Sequence, residues 1–226
     1  MVEVDEEREA TASIRGYFYQ LDAALLGILS AGLDDKVVVE GVEDFDLYSH
    51  TETAYHQVKY CEAQKLTAST LRAPLFKLFD HFNKLKEEDR SGRKYILYGH
   101  YKEIGLSLSP LNCIDFKRFM SYEKAPKGKP RTAHSLLDDL TYEDSTIEAF
   151  CKLFEFRPAR KYLDQKNEVI GAIRESQGVS DVEASGFHYP LALEYVGPCC
   201  ANRVRDSLRE SSVIAGRYEQ LGPYEV

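Results

Sequence analysis

The sequence has 226 residues, 43% hydrophobic and 29% charged, a composition that predicts one ordinary globular domain or two small ones and excludes wholesale disorder. Its 29 Lys and Arg against 37 Asp and Glu give a net charge of −8, which excludes a uniformly basic protein but permits a local basic groove. No apolar run reaches the roughly 18 residues of a membrane-spanning helix, so no membrane association is expected. The acidic start of the chain is not a secretory signal, which predicts a cytoplasmic protein with reduced thiols.

The cysteines and histidines do not have the spacing of a zinc site. Cys199 and Cys200 are adjacent rather than separated by two residues, and the other three cysteines are isolated in the sequence. The six histidines form no His-x-x-x-His pattern. We therefore expect buried thiols rather than a zinc centre.

The first predicted element is an amphipathic helix. Its apolar residues recur at helical spacing, at Ile14, Phe18, Leu21, Leu25 and Ile28. Ser13 is placed as its N-cap and Gly32 as the glycine that ends it.

Three strands, a second helix and a fourth strand follow. The β-rich segments are Lys36 to Glu40, Phe45 to Tyr48 and Ala54 to Tyr60, with turn residues between them. Leu71 to Leu85 has the spacing of an amphipathic helix. Tyr95 to Tyr98 is apolar at every position, which is typical of a central strand.

The second half of the chain is predicted to be a mainly helical extension. Its predicted helices span Ile114 to Met120, Ser145 to Phe154 and Leu163 to Arg174, and a fourth starts at Tyr189. The fold class is therefore α/β, with a core at about 13–101 and an extension at about 102–226. We treat 1–226 as one domain and leave open that it is the N-terminal module of a longer protein.

One group of polar residues stands above the background of surface charge. Side chains alternate along a strand, so Asp44 and Asp46 share one face, and Gln57 and Lys59 likewise share one. Directly opposed residues of an antiparallel hairpin point the same way. An assumed register that pairs Asp46 with Gln57 would gather two carboxylates, an amide and an ammonium in one patch.

This combination favours metal-assisted phosphodiester hydrolysis. Carboxylate and amide oxygens are the hard donors that Mg²⁺ (or Mn²⁺) prefers, and Glu40 would add a third carboxylate. A neighbouring lysine can orient a water or stabilise the charge that develops on a phosphate. The simpler alternative is a solvated hairpin with surface ion pairs, each contributing about 0–1 kcal/mol.

Three motifs in this order resemble the PD-(D/E)XK nuclease superfamily, and most closely its Mrr-like DNA endonuclease domains, which are effectors of bacterial anti-phage systems, including those with cyclic-oligonucleotide signalling. The motifs are RGYFYQ (Arg15 to Gln20), DFD (Asp44 to Asp46) and QVK (Gln57 to Lys59). The resemblance covers residues 13 to about 100 well and the rest loosely.

The resemblance implies a restriction-endonuclease-like core of helix, three strands, helix and strand. It implies Mg²⁺-dependent cleavage of double-stranded DNA with little sequence specificity, by a bacterial cytoplasmic defence effector. Control would come from homo-oligomerisation, from a sensor module or from a partner protein. Asp46 would be the main metal ligand and Asp44 the second or alternative one, with Gln57 and Lys59 completing the catalytic set. Gln57 replaces the commoner acid, so the metal site would be weaker or depend on Glu40.

Several groups of residues are candidates for contact with DNA phosphates. The Pro/Gly/Lys loop offers Lys124, Lys127, Lys129 and Arg131, and a second group is Arg157, Arg160, Lys161 and Lys166. Arg15 and Gln20 could reach the site or the DNA backbone from the first helix. Helix packing and solvated loops are the structural alternatives for all of them.

Two other functions remain open from sequence. The first is a catalytically inactive nuclease-fold module for nucleic-acid binding or oligomerisation, which would bind no metal near Asp46. The second is a hydrolase that uses Cys61 or a serine with a histidine, although no spacing supports it. His56 is expected to pack in the core, because it points away from the face of Lys59.

Overall fold

A computed structural model describes residues 3–108, 110–124 and 132–201 of the chain. Its helices are α1 (Glu3–Ser30), α2 (Ala68–Lys84), α3 (Cys113–Met120), α4 (Asp144–Leu153), α5 (Tyr162–Gln177), α6 (Asp181–Glu183) and α7 (Tyr189–Ala201). Its strands are β1 (Lys36–Val39), β2 (Phe45–Tyr48), β3 (Thr53–Leu66), β4 (Arg93–Ile104), β5 (Ser121–Lys124), β6 (Thr132–Ser135) and β7 (Phe154–Pro158). A short 3₁₀ turn, Glu87–Asp89, precedes β4, and one π turn, Ala184–His188, joins α6 to α7.

The fold is α/β with a mixed five-stranded sheet in the order β1-β2-β3-β4-β7. The first three strands form an antiparallel meander, β4 pairs parallel to β3, and β7 pairs parallel to β4. The predicted order of helix, three strands, helix and strand is found from α1 to β4. Strands β5 and β6 form a separate two-stranded sheet.

The second half is not only helical, because β7 adds a fifth strand to the main sheet. We expected one helix from Ser145 to Phe154, but the helix ends at Leu153 and Phe154 begins the strand. Phe154 continues the apolar spacing of α4, which hid the change of element. In the structure Phe154 and Phe156 are buried while Glu155 is half-buried, the alternation of a strand.

Helices cover both faces of the sheet and form two apolar cores. On one face, here called the α2 face, Tyr55, Tyr95 and Leu97 pack with residues of α2, α3 and α4. On the other, the α1 face, Phe45 and Val58 pack with residues of α1, α5 and α7. The C-terminal extension therefore supplies helices to both cores, so that both faces of the sheet are covered.

Helix α1 and strand β3 are longer than predicted. Helix α1 starts at Glu3 rather than after Ser13, since the preceding segment is rich in Glu, Ala and Arg, which favour helix. Strand β3 continues to Leu66 instead of Tyr60, because the parallel partner β4 also continues, as far as Ile104. Across the described ranges, no helix is both long enough and apolar enough to cross a bilayer.

Candidate functional site

The candidate site lies at the end of the β2–β3 hairpin where β2 begins and β3 runs on. The observed register pairs Asp46 with Tyr55 and Phe45 with His56. The assumed pairing of Asp46 with Gln57 is therefore wrong by two residues. The four-residue turn after Tyr48 sets the register, because Ser49 N–H donates to the Glu52 carbonyl at 2.9 Å.

A shift of two residues leaves every side chain on its predicted face. Asp46 shares the α2 face with Tyr55, and by alternation Gln57 and Lys59 follow on that same face. His56 points to the α1 face, where its ring stacks on that of Phe45 with the ring centroids 4.1 Å apart. Burial lowers the pKa of His56 to about 4. The structure thus keeps these residues on one face of the sheet but changes which acid meets the amide.

Asp44 is the acid that contacts Gln57. Its Oδ2 accepts hydrogen bonds from Gln57 Nε2 and from the backbone N–H of Val58, both at 2.5 Å. Strand β2 begins only at Phe45, so the Asp44 carboxylate takes the Val58 donor that a longer β2 would have paired. Asp44 is half-buried and Gln57 is buried, which places the carboxylate at the edge of the core and within reach of a ligand.

Asp46 is fully buried and holds the β1–β2 turn together. Its carboxylate accepts from the backbone N–H groups of Val42 at 2.7 Å and Glu43 at 3.3 Å, and from the Tyr48 hydroxyl at 3.4 Å. Burial raises the pKa of Asp46 to about 6, and these hydrogen bonds oppose the rise. The turn needs a glycine at Gly41, since a Cβ there would lie 2.3 Å from Asp46 Oδ2.

Glu43 is a third acid of this turn that the sequence did not single out. Its side chain is 1% exposed, and Lys77 of α2 approaches its Oε2 to 2.9 Å. Burial raises the pKa of Glu43, Lys77 lowers it, and the neighbouring Asp44 and Asp46 raise it further. Nothing in the local pattern separates Glu43 from its acidic neighbours, because the partner lies on a helix far along the chain.

Lys59 and Glu40 flank this group. Lys59 is half-buried in β3, opposite Gly99 of β4, and within the described part of the chain it forms no salt bridge. Glu40 follows β1 with a φ of 54°, in the left-handed region, and its backbone N–H donates to the Asp44 carbonyl at 2.9 Å. The main chain of Glu40 thus helps to fix the position of Asp44.

The donor set fits a Mg²⁺ ion held by few protein ligands. Asp44 offers a carboxylate, and the Gln57 amide beside it can present its oxygen by turning about the last torsion. Mg²⁺ commonly keeps several waters and binds through one or two carboxylates. Among the residues that the structure describes, no three His, Cys, Asp or Glu side chains are grouped for a metal. Asp44 and Gln57 are the adjacent oxygen donors that could hold such an ion.

The candidate DNA contacts outside the hairpin do not join this group where the structure describes them. Arg15 pairs with Glu62 at 2.9 Å, and both Arg15 and the half-buried Gln20 lie on α1, which covers the opposite face. Arg157 pairs with Glu155 and Arg160 with Glu168, each on the surface. Lys127, Lys129, Arg131 and the side chain of Lys124 lie outside the described residues.

Cys61 does not have the surroundings of an activated nucleophile. It is half-buried, and burial raises the pKa of its thiol, which disfavours the reactive thiolate. Tyr19, within the RGYFYQ motif, is buried, and its hydroxyl donates a hydrogen bond to the Arg160 carbonyl at 2.6 Å.

Comparisons with protein-family models, with curated proteins and with solved structures find no match to this chain.

Proposed function

We propose that this protein is a metal-dependent endonuclease that cleaves double-stranded DNA, with Asp44, Gln57 and Lys59 at its active centre. The observation that carries the proposal is the contact between Asp44 and Gln57 on the same face of the sheet as Lys59. The order of helix, three antiparallel strands, helix and parallel strand supports a restriction-endonuclease-like core. The sequence motifs and the order of the elements are thus two separate supports for the same proposal.

The three side chains have distinct roles in this proposal. Asp44 and Gln57 bind Mg²⁺, which would polarise the phosphate and lower the pKa of a bound water. Lys59 places its ammonium beside the phosphate, where it stabilises the negative charge that develops as the phosphodiester bond breaks. Asp46 supports Asp44 by fixing the turn, a change from the sequence-based expectation that Asp46 is the main ligand.

The position of the group suits a long substrate. Asp44 stands where β2 has not yet begun, and β3 continues for nine residues after Gln57, from Val58 to Leu66. Along this stretch β3 has β4 on one side, so its other edge is not occupied by β2. Backbone phosphates lying along that edge would be bound without base contacts, and so with little sequence specificity.

Incubation of the purified protein with supercoiled plasmid, with Mg²⁺ and with EDTA, tests this function. We expect nicked and linear products only with Mg²⁺ and a loss of cleavage of at least a hundredfold in Lys59→Ala. Lys94→Ala is the matched control, since Lys94 lies on the neighbouring strand β4 and pairs with Glu52. Equal cleavage by Lys59→Ala and wild type would refute the assignment of the active centre.

We further propose, on the motif resemblance, that the nuclease is an effector of bacterial antiviral defence, controlled by oligomerisation or by a regulatory partner. A rate of cleavage that rises more steeply than linearly with protein concentration would support control by oligomerisation. Wild-type protein that binds duplex DNA but leaves it intact with either Mg²⁺ or Mn²⁺ would instead favour the catalytically inactive binding module.

A further inference from the structure

Lys77 brings a second ammonium to the acidic turn from outside the hairpin. It lies on α2, and its Nζ is 2.9 Å from Oε2 of Glu43, the residue directly before Asp44. Glu43 is buried, whereas the side chain of Lys77 is 56% exposed. One end of this ion pair is therefore anchored in the protein, and the other end faces solvent.

Glu43 restricts where the Lys77 ammonium can go. A carboxylate as buried as that of Glu43 would be costly without a cation beside it, because the protein interior stabilises an unpaired charge poorly. The pairing therefore holds Lys77 against the turn, unlike an ordinary surface lysine, which samples many rotamers. An ammonium has three donors, so the ion pair with Glu43 leaves Lys77 able to donate to a second ligand.

Lys77 and Lys59 are the two ends of a series of neighbouring residues that runs through Glu43, Asp44 and Gln57. Lys77 pairs with Glu43, Asp44 follows Glu43 in the chain, and Asp44 accepts from Gln57. Lys59 is the next residue of β3 on the same face as Gln57, about 7 Å further along the strand. Along this series, Asp44 and Gln57 therefore lie between the two lysines.

We propose that Lys77 is a second phosphate-binding residue, which donates to a backbone phosphate of duplex DNA next to the one cleaved, and that Glu43 positions it. The inference deepens the proposed nuclease function and rests on it for the identity of the ligand. Lys77 is a point charge without base-reading groups, so its contribution applies equally to all sequences.

Binding of a fluorescent duplex oligonucleotide in EDTA, measured by anisotropy over a range of NaCl concentrations, tests this role without requiring cleavage. Removing one phosphate contact should flatten the slope of log K against log salt by about 0.9 and weaken binding roughly eightfold at 0.1 M salt. We expect this for Lys77→Met, and we expect Lys77→Arg to keep most of the wild-type slope. Lys84→Met is the matched control, because Lys84 lies on the same helix and pairs with Asp80 instead.

Lys77→Met leaves Glu43 without its cation, so a second variant separates binding from folding. The double variant Glu43→Gln/Lys77→Met removes both charges, and it should fold and show the same flattened slope. An unchanged slope in either folded variant, or no binding of duplex by the wild type, would overturn the proposal. If the wild type binds DNA through Lys77 but does not cut it with Mg²⁺, the nuclease function fails and the phosphate-binding role stands.

Discussion

The side-chain amide of Gln57, in β3, donates a hydrogen bond to the carboxylate of Asp44, with 2.5 Å between Nε2 and Oδ2. Asp44 lies directly before the first residue of β2. The second acid of the motif, Asp46, is instead enclosed by the backbone N–H groups of its own turn. The two acids of the DFD motif therefore have different roles. Asp46 maintains the turn, and in the proposed function Asp44 is the acid that binds the metal.

Asp46→Ala should destabilise the fold. The change leaves the N–H groups of Val42 and Glu43 without their acceptor, and the loss at the buried Glu43 should cost about 1–3 kcal/mol. Asp44→Asn should stay within about 1 kcal/mol of wild type, because the amide oxygen can still accept from Val58. Urea unfolding of both variants measures the difference, and equal stabilities would contradict the division of roles.

Phe45→Ala should cost more than Leu47→Ala. Phe45 is buried against α1, where a Cβ on Gly27 would lie 2.8 Å from its ring, and it stacks on His56. Removing this ring should cost about 3–5 kcal/mol. Leu47 faces the same way but is only half-buried, so its truncation should cost about 1–2 kcal/mol. The reverse order in thermal or urea unfolding would mean that the faces of β2 are inverted.

Protonation of Asp22 and of Asp46 should stabilise the fold as the pH falls from 7 to about 5. The buried His56 should oppose this gain, because its pKa is lowered to about 4 and the unfolded state therefore takes up its proton first. Burial raises the pKa of Asp22 and of Asp46 from 3.8 to about 6. Because the folded pKa lies above the unfolded one, protonation favours the fold, and the gain appears as pH falls through 6 and is complete below about 4. It amounts to at most about 3 kcal/mol for each carboxylate.

Asp22→Asn provides the control for this pH dependence. Asp22 accepts from the Tyr189 hydroxyl at 2.8 Å on the α1 side, far from the turn of Asp46. Between pH 7 and pH 5 the change in unfolding free energy should be less favourable in Asp22→Asn than in the wild type, by on the order of 1 kcal/mol, whatever the effect of the substitution on absolute stability. The same pH dependence in Asp22→Asn as in the wild type would refute the raised pKa of Asp22.

The sequence predicted the faces of the polar residues better than their pairing. Alternation along a strand is a fixed geometric property, so Asp44, Asp46, Gln57 and Lys59 share a face as expected. The register depends on the turn between the strands, which alternation does not determine. That is why the predicted partner of Gln57 was Asp46, whereas the observed one is Asp44.

Long-range contacts were the part that the sequence could not supply. The pairing of Glu43 with Lys77 joins residues on different elements, and neither residue has a local pattern that marks it. Strand β7 was concealed because Phe154 fits the spacing of the helix before it, and only its pairing with β4 makes it a strand. Periodicity identified most helices and strands, but the closing contacts depend on the assembled sheet.

The single-turnover rate of plasmid cleavage by Asp44→Asn, at saturating Mg²⁺ and with Asp46→Asn alongside, tests the central claim most directly. Asp44→Asn removes the ligand charge but keeps an acceptor for Val58, so we expect a folded protein whose cleavage rate falls at least a thousandfold. Asp46→Asn also keeps an acceptor for the turn and should retain more activity than Asp44→Asn. A folded Asp44→Asn variant that cuts at the wild-type rate would contradict a metal-dependent active centre at Asp44 and Gln57.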